Sequence, residues 1–121
     1  MALTPKELAL KAVKILDSKK AQDIEVLAIE NISSLTDYFV ICTGTSSTQV
    51  KSLADEVEYK ISEENALKPG HVEGYAGASW ILLDYKDVIV HVFYKESRMF
   101  YSLERLWSDA VKLDLSDIIT E

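Results

Sequence analysis

The chain has 121 residues, enough for one domain of ordinary size and too few for separate catalytic and regulatory modules. A hydrophobic share of 48% with 27% charged residues belongs to a soluble globular protein and excludes a disordered or fibrous chain. Thirteen basic residues against twenty acidic ones leave a net charge of −7. That balance argues against a broad nucleic-acid-binding face and favours a basic protein surface as macromolecular partner. A single cysteine, Cys42, excludes an internal disulfide framework and fits a reducing compartment. No apolar run approaches the roughly 18 residues of a membrane span, and the N-terminal residues lack a signal-peptide apolar region. Glu7 and Asp17 are residues that a transit peptide avoids. A cytoplasmic location is expected.

Thr4-Pro5-Lys6-Glu7 opens a first helix twice over. Thr4 caps with Glu7 three residues on, and Pro5 takes the first helical position, where its missing donor costs nothing. Leu8, Ala12, Ile15 and Leu16 recur at helical spacing, and Lys19-Lys20 suit the negative end of the helix dipole. Ile24 to Ile29 reads as a short strand with both faces mostly covered. Tyr38 to Cys42 is a continuous apolar run, the pattern of a central strand buried on both sides. It feeds Thr43-Gly44-Thr45-Ser46-Ser47, after which Ser46 and Gln49 form a second candidate capping box. Val50, Leu53, Ala54, Val57 and Ile61 then trace one apolar stripe along a second helix. Val72 to Tyr75 is a short strand candidate. Trp80–Asp84 and Val88–Tyr94 form an antiparallel hairpin about a tight turn at Tyr85-Lys86. A third helix from about Ser97 to Trp107 turns Phe100, Leu103 and Trp107 inward. The expected fold is α/β, one domain over residues 1–110 with a mixed sheet packed against helices. Residues 111–121 are expected to form an acidic C-terminal tail.

Candidate chemistry is thin. The loop from Thr43 to Ser47 lies where many folds bind phosphate, yet it lacks the second glycine and the lysine of a Walker motif. A hydroxyl-rich turn that caps the helix explains the same residues. Asp84 and Asp87 are three apart across a turn, whereas two carboxylates on one strand face need a spacing of two. A two-metal site therefore lacks its usual geometry. Asp87 is expected to bond local backbone in the turn, and Asp84 to be an exposed acid at a strand end. Cys42, His71 and His91 show none of the paired spacings of zinc sites, so no catalytic residue, cofactor or metal is assigned. Cys42 reads as a small buried hydrophobe and His91 as a hydrogen-bonded structural residue.

Two aromatic features suggest contacts instead. Trp80 shares a strand face with Leu82 and Asp84, an anchor aromatic beside an apolar neighbour and an acid. Arg98, Tyr101 and Arg105 fall at i, i+3 and i+7 on the third helix, opposite its core stripe. Tyr101 and Arg98 are therefore placed beside Trp80 in one partner-binding patch. Core packing of Trp80 is the competing interpretation.

Asp37-Tyr38-Phe39-Val40-Ile41-Cys42-Thr43-Gly44-Thr45-Ser46-Ser47, Trp80-Ile81-Leu82-Leu83-Asp84, Asp87-Val88-Ile89-Val90-His91-Val92-Phe93 and Tyr101-Ser102-Leu103-Glu104-Arg105-Leu106-Trp107 closely resemble the ribosomal silencing factor family, RsfS or Iojap. The resemblance runs from about Leu3 to Trp107. Lys86 departs from it, since the family usually has glycine there, and implies a different turn conformation. The resemblance implies a nucleotidyltransferase-like fold that has lost its catalytic carboxylates. It also implies binding to the large ribosomal subunit through its protein number fourteen in the bacterial naming. Occupying that surface would block joining of the small subunit and lower translation when nutrients are short. The family's contact surface maps onto Trp80, and direct sequence-specific contact with nucleic acid is not expected. A nucleotide-binding enzyme using the Gly44 to Ser47 loop and a non-ribosomal dimeric adaptor are the alternatives. The apolar hairpin is compatible with a homodimer of the free protein.

Overall fold

The computed structural model describes residues 3–31, 34–101, 105, 107–116 and 118, with the side chains of residues 99–101 outside the description. Its elements run α1 (Pro5–Ser18), β1 (Gln22–Ala28), β2 (Tyr38–Gly44), α2 (Ser47–Asn65), β3 (His71–Glu73), β4 (Trp80–Asp84), β5 (Val88–Tyr94), α3 (Lys95–Tyr101) and β6 (Val111–Lys112). The Thr4 hydroxyl accepts from the Glu7 backbone at 3.1 Å while the Glu7 carboxylate accepts from the Thr4 backbone at 2.9 Å. That is a complete capping box. At α2 the box is only half built. Ser46 accepts from Gln49 N, but Gln49 Oε1 reaches past the cap to Thr45 N at 2.6 Å.

The strands form one six-stranded sheet in the order β3-β4-β5-β2-β1-β6. β2 and β5 pair in parallel at its centre, and every other pairing is antiparallel. Both apolar runs are thus inner strands, as their composition requires. All seven residues of β2 are buried. Residues of β2 and β5 on one face, Tyr38, Val40, Cys42, Val88, Val90 and Val92, meet the apolar stripes of α1 and α2 in the main core. On the other face, Phe39, Ile41, Ile89 and Phe93 join Leu27 and Ile29 in a second cluster. At roughly 1.5–3 kcal/mol for each fully buried aliphatic or aromatic side chain, these two layers dominate the stabilisation. Lys11 Nζ to Glu64 Oε1 at 2.6 Å joins α1 to α2 at the surface.

Residues after Ala110, expected to be a tail, add to this same sheet. Val111 and Lys112 pair with Ala28 and Leu27, and Leu113 N donates to Val26 O. Leu115 is buried in the main core. The apolar residues interleaved with the acids explain the correction, because charge counting along the segment hides them.

The β4–β5 turn resolves the departure at Lys86. Asp87 N donates to Tyr85 O and Tyr85 N to Val88 O, a γ-type reversal with Lys86 at φ 77°. Lysine has taken the left-handed conformation that glycine adopts freely. The side chain that bonds local backbone is that of Asp84, not the expected Asp87, with Oδ1 accepting from Lys86 N at 2.8 Å. Lys86→Gly should stabilise the protein by roughly 0.5–1 kcal/mol, the left-handed penalty less the entropy cost of glycine. Thermal unfolding should show a melting temperature a few degrees higher. A lower one would mean that the lysine side chain supports the turn.

Candidate protein-docking face

The antiparallel register sets Trp80 opposite Phe93, Leu82 opposite His91 and Asp84 opposite Ile89. Trp80, Leu82 and Asp84 therefore share one face of β4, as their alternation predicts. His71 and Glu73 of β3 continue that face, through pairing with Asp84 and Leu82. Trp80, Leu82 and Asp84 are half-buried, while His71 and Glu73 are exposed. Among the described residues, exposure on this face rises from the half-buried β4 row to the exposed β3 edge. Gly74 fits the chain into place beside it at φ 78°, where an added Cβ would lie 2.0 Å from the Trp80 carbonyl oxygen.

Trp80 is neither a plain core residue nor a loose surface one. Its indole stacks on Phe93, with ring centroids 4.9 Å apart and planes 26° apart. Its Nε1–H donates to His91 Nδ1 at 3.0 Å. Because Nδ1 accepts, neutral His91 carries its proton on Nε2. The imidazole is 3% exposed and stands edge-on to Phe39 at 4.7 Å. Burial holds its pKa far below the ordinary histidine value, at about 3. Phe39 meets Trp107 in another edge-to-face contact at 5.5 Å, so Trp107 packs inward as its spacing predicts. Phe100 and Leu103, expected to join it, lie outside the described side chains.

Arg98 stands elsewhere. It is 8% exposed, and its Nη1 donates to Thr43 Oγ1 at 2.9 Å and to the Asp23 carbonyl. Nη2 meets Glu25 Oε2 at 2.6 Å, and Lys112 Nζ holds the other Glu25 oxygen at 2.6 Å. The expectation that Arg98 lies beside Trp80 on an open surface is corrected. Helical spacing placed it opposite the apolar stripe, but the side of α3 that carries it faces the β1–β2 end of the sheet. Tyr101 is the last residue of α3 as described, and its side chain lies outside the described residues.

The loop from Thr43 to Ser47 spends its polar groups locally. Thr43 accepts from Arg98, Thr45 N and Oγ1 both donate to Gln49, and Ser46 caps α2. Cys42 is fully buried, and burial pushes its thiol up to about 12 despite the nearby Arg98 charge. Among the described residues no cluster of three His, Cys, Asp or Glu side chains could hold a metal ion. Among the same residues, no helix is long and apolar enough to cross a membrane.

The chain matches the family described as "Ribosomal silencing factor during starvation" over residues 2–121. It belongs to the ribosomal silencing factor (RsfS) family. It is 40% identical to the ribosomal silencing factor RsfS of Halalkalibacterium halodurans over 118 residues, covering 98% of this chain and 100% of that one. Its identity to the RsfS of Bacillus subtilis is 46% over 99 residues, 82% of this chain and 83% of that one. The fold is similar to the crystal structure of a protein from Chromobacterium violaceum, with a TM-score of 0.84 and 33% identity over 88% of each chain. Both of these relatives are named as ribosomal silencing factors.

His91 makes acid stability a test of this geometry. Above about pH 7.5 the histidine is essentially neutral in both folded and unfolded chains and contributes almost no slope. Between about pH 7.5 and about 3 the unfolded chain takes up a proton that the fold refuses, so stability falls as pH falls. Urea unfolding should show a loss of about 1.5 kcal/mol between pH 6.5 and 5.0 attributable to this one group. His91→Gln, which has no titrating ring, should lack that component. Equal losses in both proteins would clear His91 of the effect.

Proposed function

We propose that this protein is a binding module that silences the large ribosomal subunit by steric exclusion. The half-exposed β3–β4 face, with Trp80 and Leu82 as apolar anchors and Asp84 as acid, docks on a basic protein of that subunit. Protein number fourteen in the bacterial naming is the partner implied by family resemblance. Occupying its surface keeps the small subunit from joining and lowers translation when nutrients are short. The observation that carries this is membership of the silencing-factor family combined with a half-exposed aromatic–acidic patch on the β3–β4 end of the sheet. Charge supports it, since a chain of net charge −7 is drawn to a basic ribosomal protein. No catalysis is proposed, and the committed hydrogen bonds of the Thr43–Ser47 loop favour that choice over a nucleotidyltransferase. The site of action is the cytoplasm, with no cofactor.

Gradient sedimentation of the protein with purified subunits tests partner and mechanism together. The protein should travel with large subunits and reduce their association with small ones. Leu82→Lys introduces an ammonium on the docking face without removing a hydrogen bond of the fold. It should lose at least about tenfold in affinity while remaining folded, with a modestly lower melting temperature because Leu82 packs against the second cluster. Trp80→Ala should cost about 2 kcal/mol of binding, some thirtyfold. Asp84→Lys should also slow association and weaken its salt dependence. Co-sedimentation unaffected by all three changes would move the docking surface elsewhere.

A further inference from the structure

His91 is almost wholly buried, yet one of its ring nitrogens is bonded to a residue of the half-exposed face. It accepts the indole N–H of Trp80 at 3.0 Å, across the β4–β5 pairing. Phe93 fixes the plane of the same indole by stacking, and Phe39 fixes the imidazole from behind by an edge-to-face contact. The half-exposed indole is thus held by a hydrogen bond and a stack, both from the adjacent inner strand. A tryptophan free to change rotamer would lose that freedom on docking, at a cost of about 0.5–1.5 kcal/mol for an immobilised side chain. Here the fold has already ordered it. An apolar residue at position 91 would leave the indole N–H without the acceptor His91 gives it.

We infer that His91 is a positioning residue for partner binding: its neutral ring, accepting at Nδ1, holds the Trp80 indole in the orientation that docks. The assignment rests on the docking function proposed above. His91 itself makes no contact with the partner, being covered by its neighbours, so its influence must pass through Trp80.

Four variants and the wild type, measured for affinity to purified large subunits and for melting temperature, test this. His91→Phe keeps an aromatic ring against Phe39 and removes the acceptor, and it should weaken binding about tenfold. His91→Gln offers a side-chain oxygen in place of Nδ1 and should recover most of that loss. Trp80→Phe keeps a ring over Phe93 but cannot donate, so it should lose at least as much as His91→Phe. The double variant should lose no more than Trp80→Phe alone, because the two residues act through one bond. Indole fluorescence anisotropy in a Trp107→Phe background should fall on His91→Phe and return on His91→Gln. Folded His91→Phe with wild-type affinity would overturn the assignment while leaving the docking function standing. Additive losses in the double variant would overturn it too, even where His91→Phe is strongly destabilised. Failure of the wild type to bind large subunits would overturn both.

Discussion

The parallel pairing of β2 with β5 is the constraint from which the rest of the structure follows. Two strands bonded side by side at the centre of a sheet have no solvent edge, and their side chains need cover on both faces. The seven residues of β2 meet that demand without exception. α1 and α2 supply the cover on one face with stripes of aliphatic residues at helical spacing. The opposite face is closed differently, by the cluster around Phe39, Ile41, Ile89 and Phe93, with Trp107 and Ala110 packed against it.

Among the described residues that second cover is partial, leaving Trp80, Leu82 and Asp84 half-buried. α3 turns directly out of β5, and Arg98 carries it toward β1 and β2 through Thr43, Glu25 and the Asp23 carbonyl. A buried guanidinium needs such partners, because breaking one side of a buried ion pair costs several kcal/mol, about 3–5. The consequence lies at the other end of the sheet. The face of β4 and β3 remains only half covered, and Trp80, Leu82 and Asp84 stand there as a row. The described ring contacts of Trp80 are to His91 and Phe93 of β5, so its indole is tied to an inner strand of the sheet.

A histidine in the middle of an apolar strand also acquires a reason. Its burial keeps it neutral, and neutrality keeps Nδ1 available as an acceptor. A charged imidazole would donate from both nitrogens and turn the indole N–H away. The same desolvation that makes His91 expensive in acid therefore preserves the orientation of Trp80 near neutral pH. The Thr43–Ser47 loop is a contrasting case. It has the residue types of a phosphate cradle, but its donors and acceptors close on the start of α2 and on Arg98.

The amino-acid sequence by itself determined the layer architecture and most element positions, because periodicity, caps and turn residues act over short distances. The Thr4 box, the apolar runs of β2 and β5 and the stripe of α2 are all local signals. The row of Trp80, Leu82 and Asp84 on one face followed from strand alternation alone, and burial of Cys42 from its place in a continuous apolar run. Tertiary structure alone decided what lies beyond a strand or helix. The β2–β5 pairing joins residues about fifty apart, and no periodicity encodes which strand becomes whose neighbour. Helical spacing gave the side of α3 on which Arg98 sits, but only packing against β1 and β2 decided that this side is buried. The strand at Val111 is too short to stand out from its acidic surroundings and exists because the β1 edge offers it partners. Likewise, alternation aligned Leu82 with Trp80, whereas the bond from Trp80 to His91 required two strands to meet in one register.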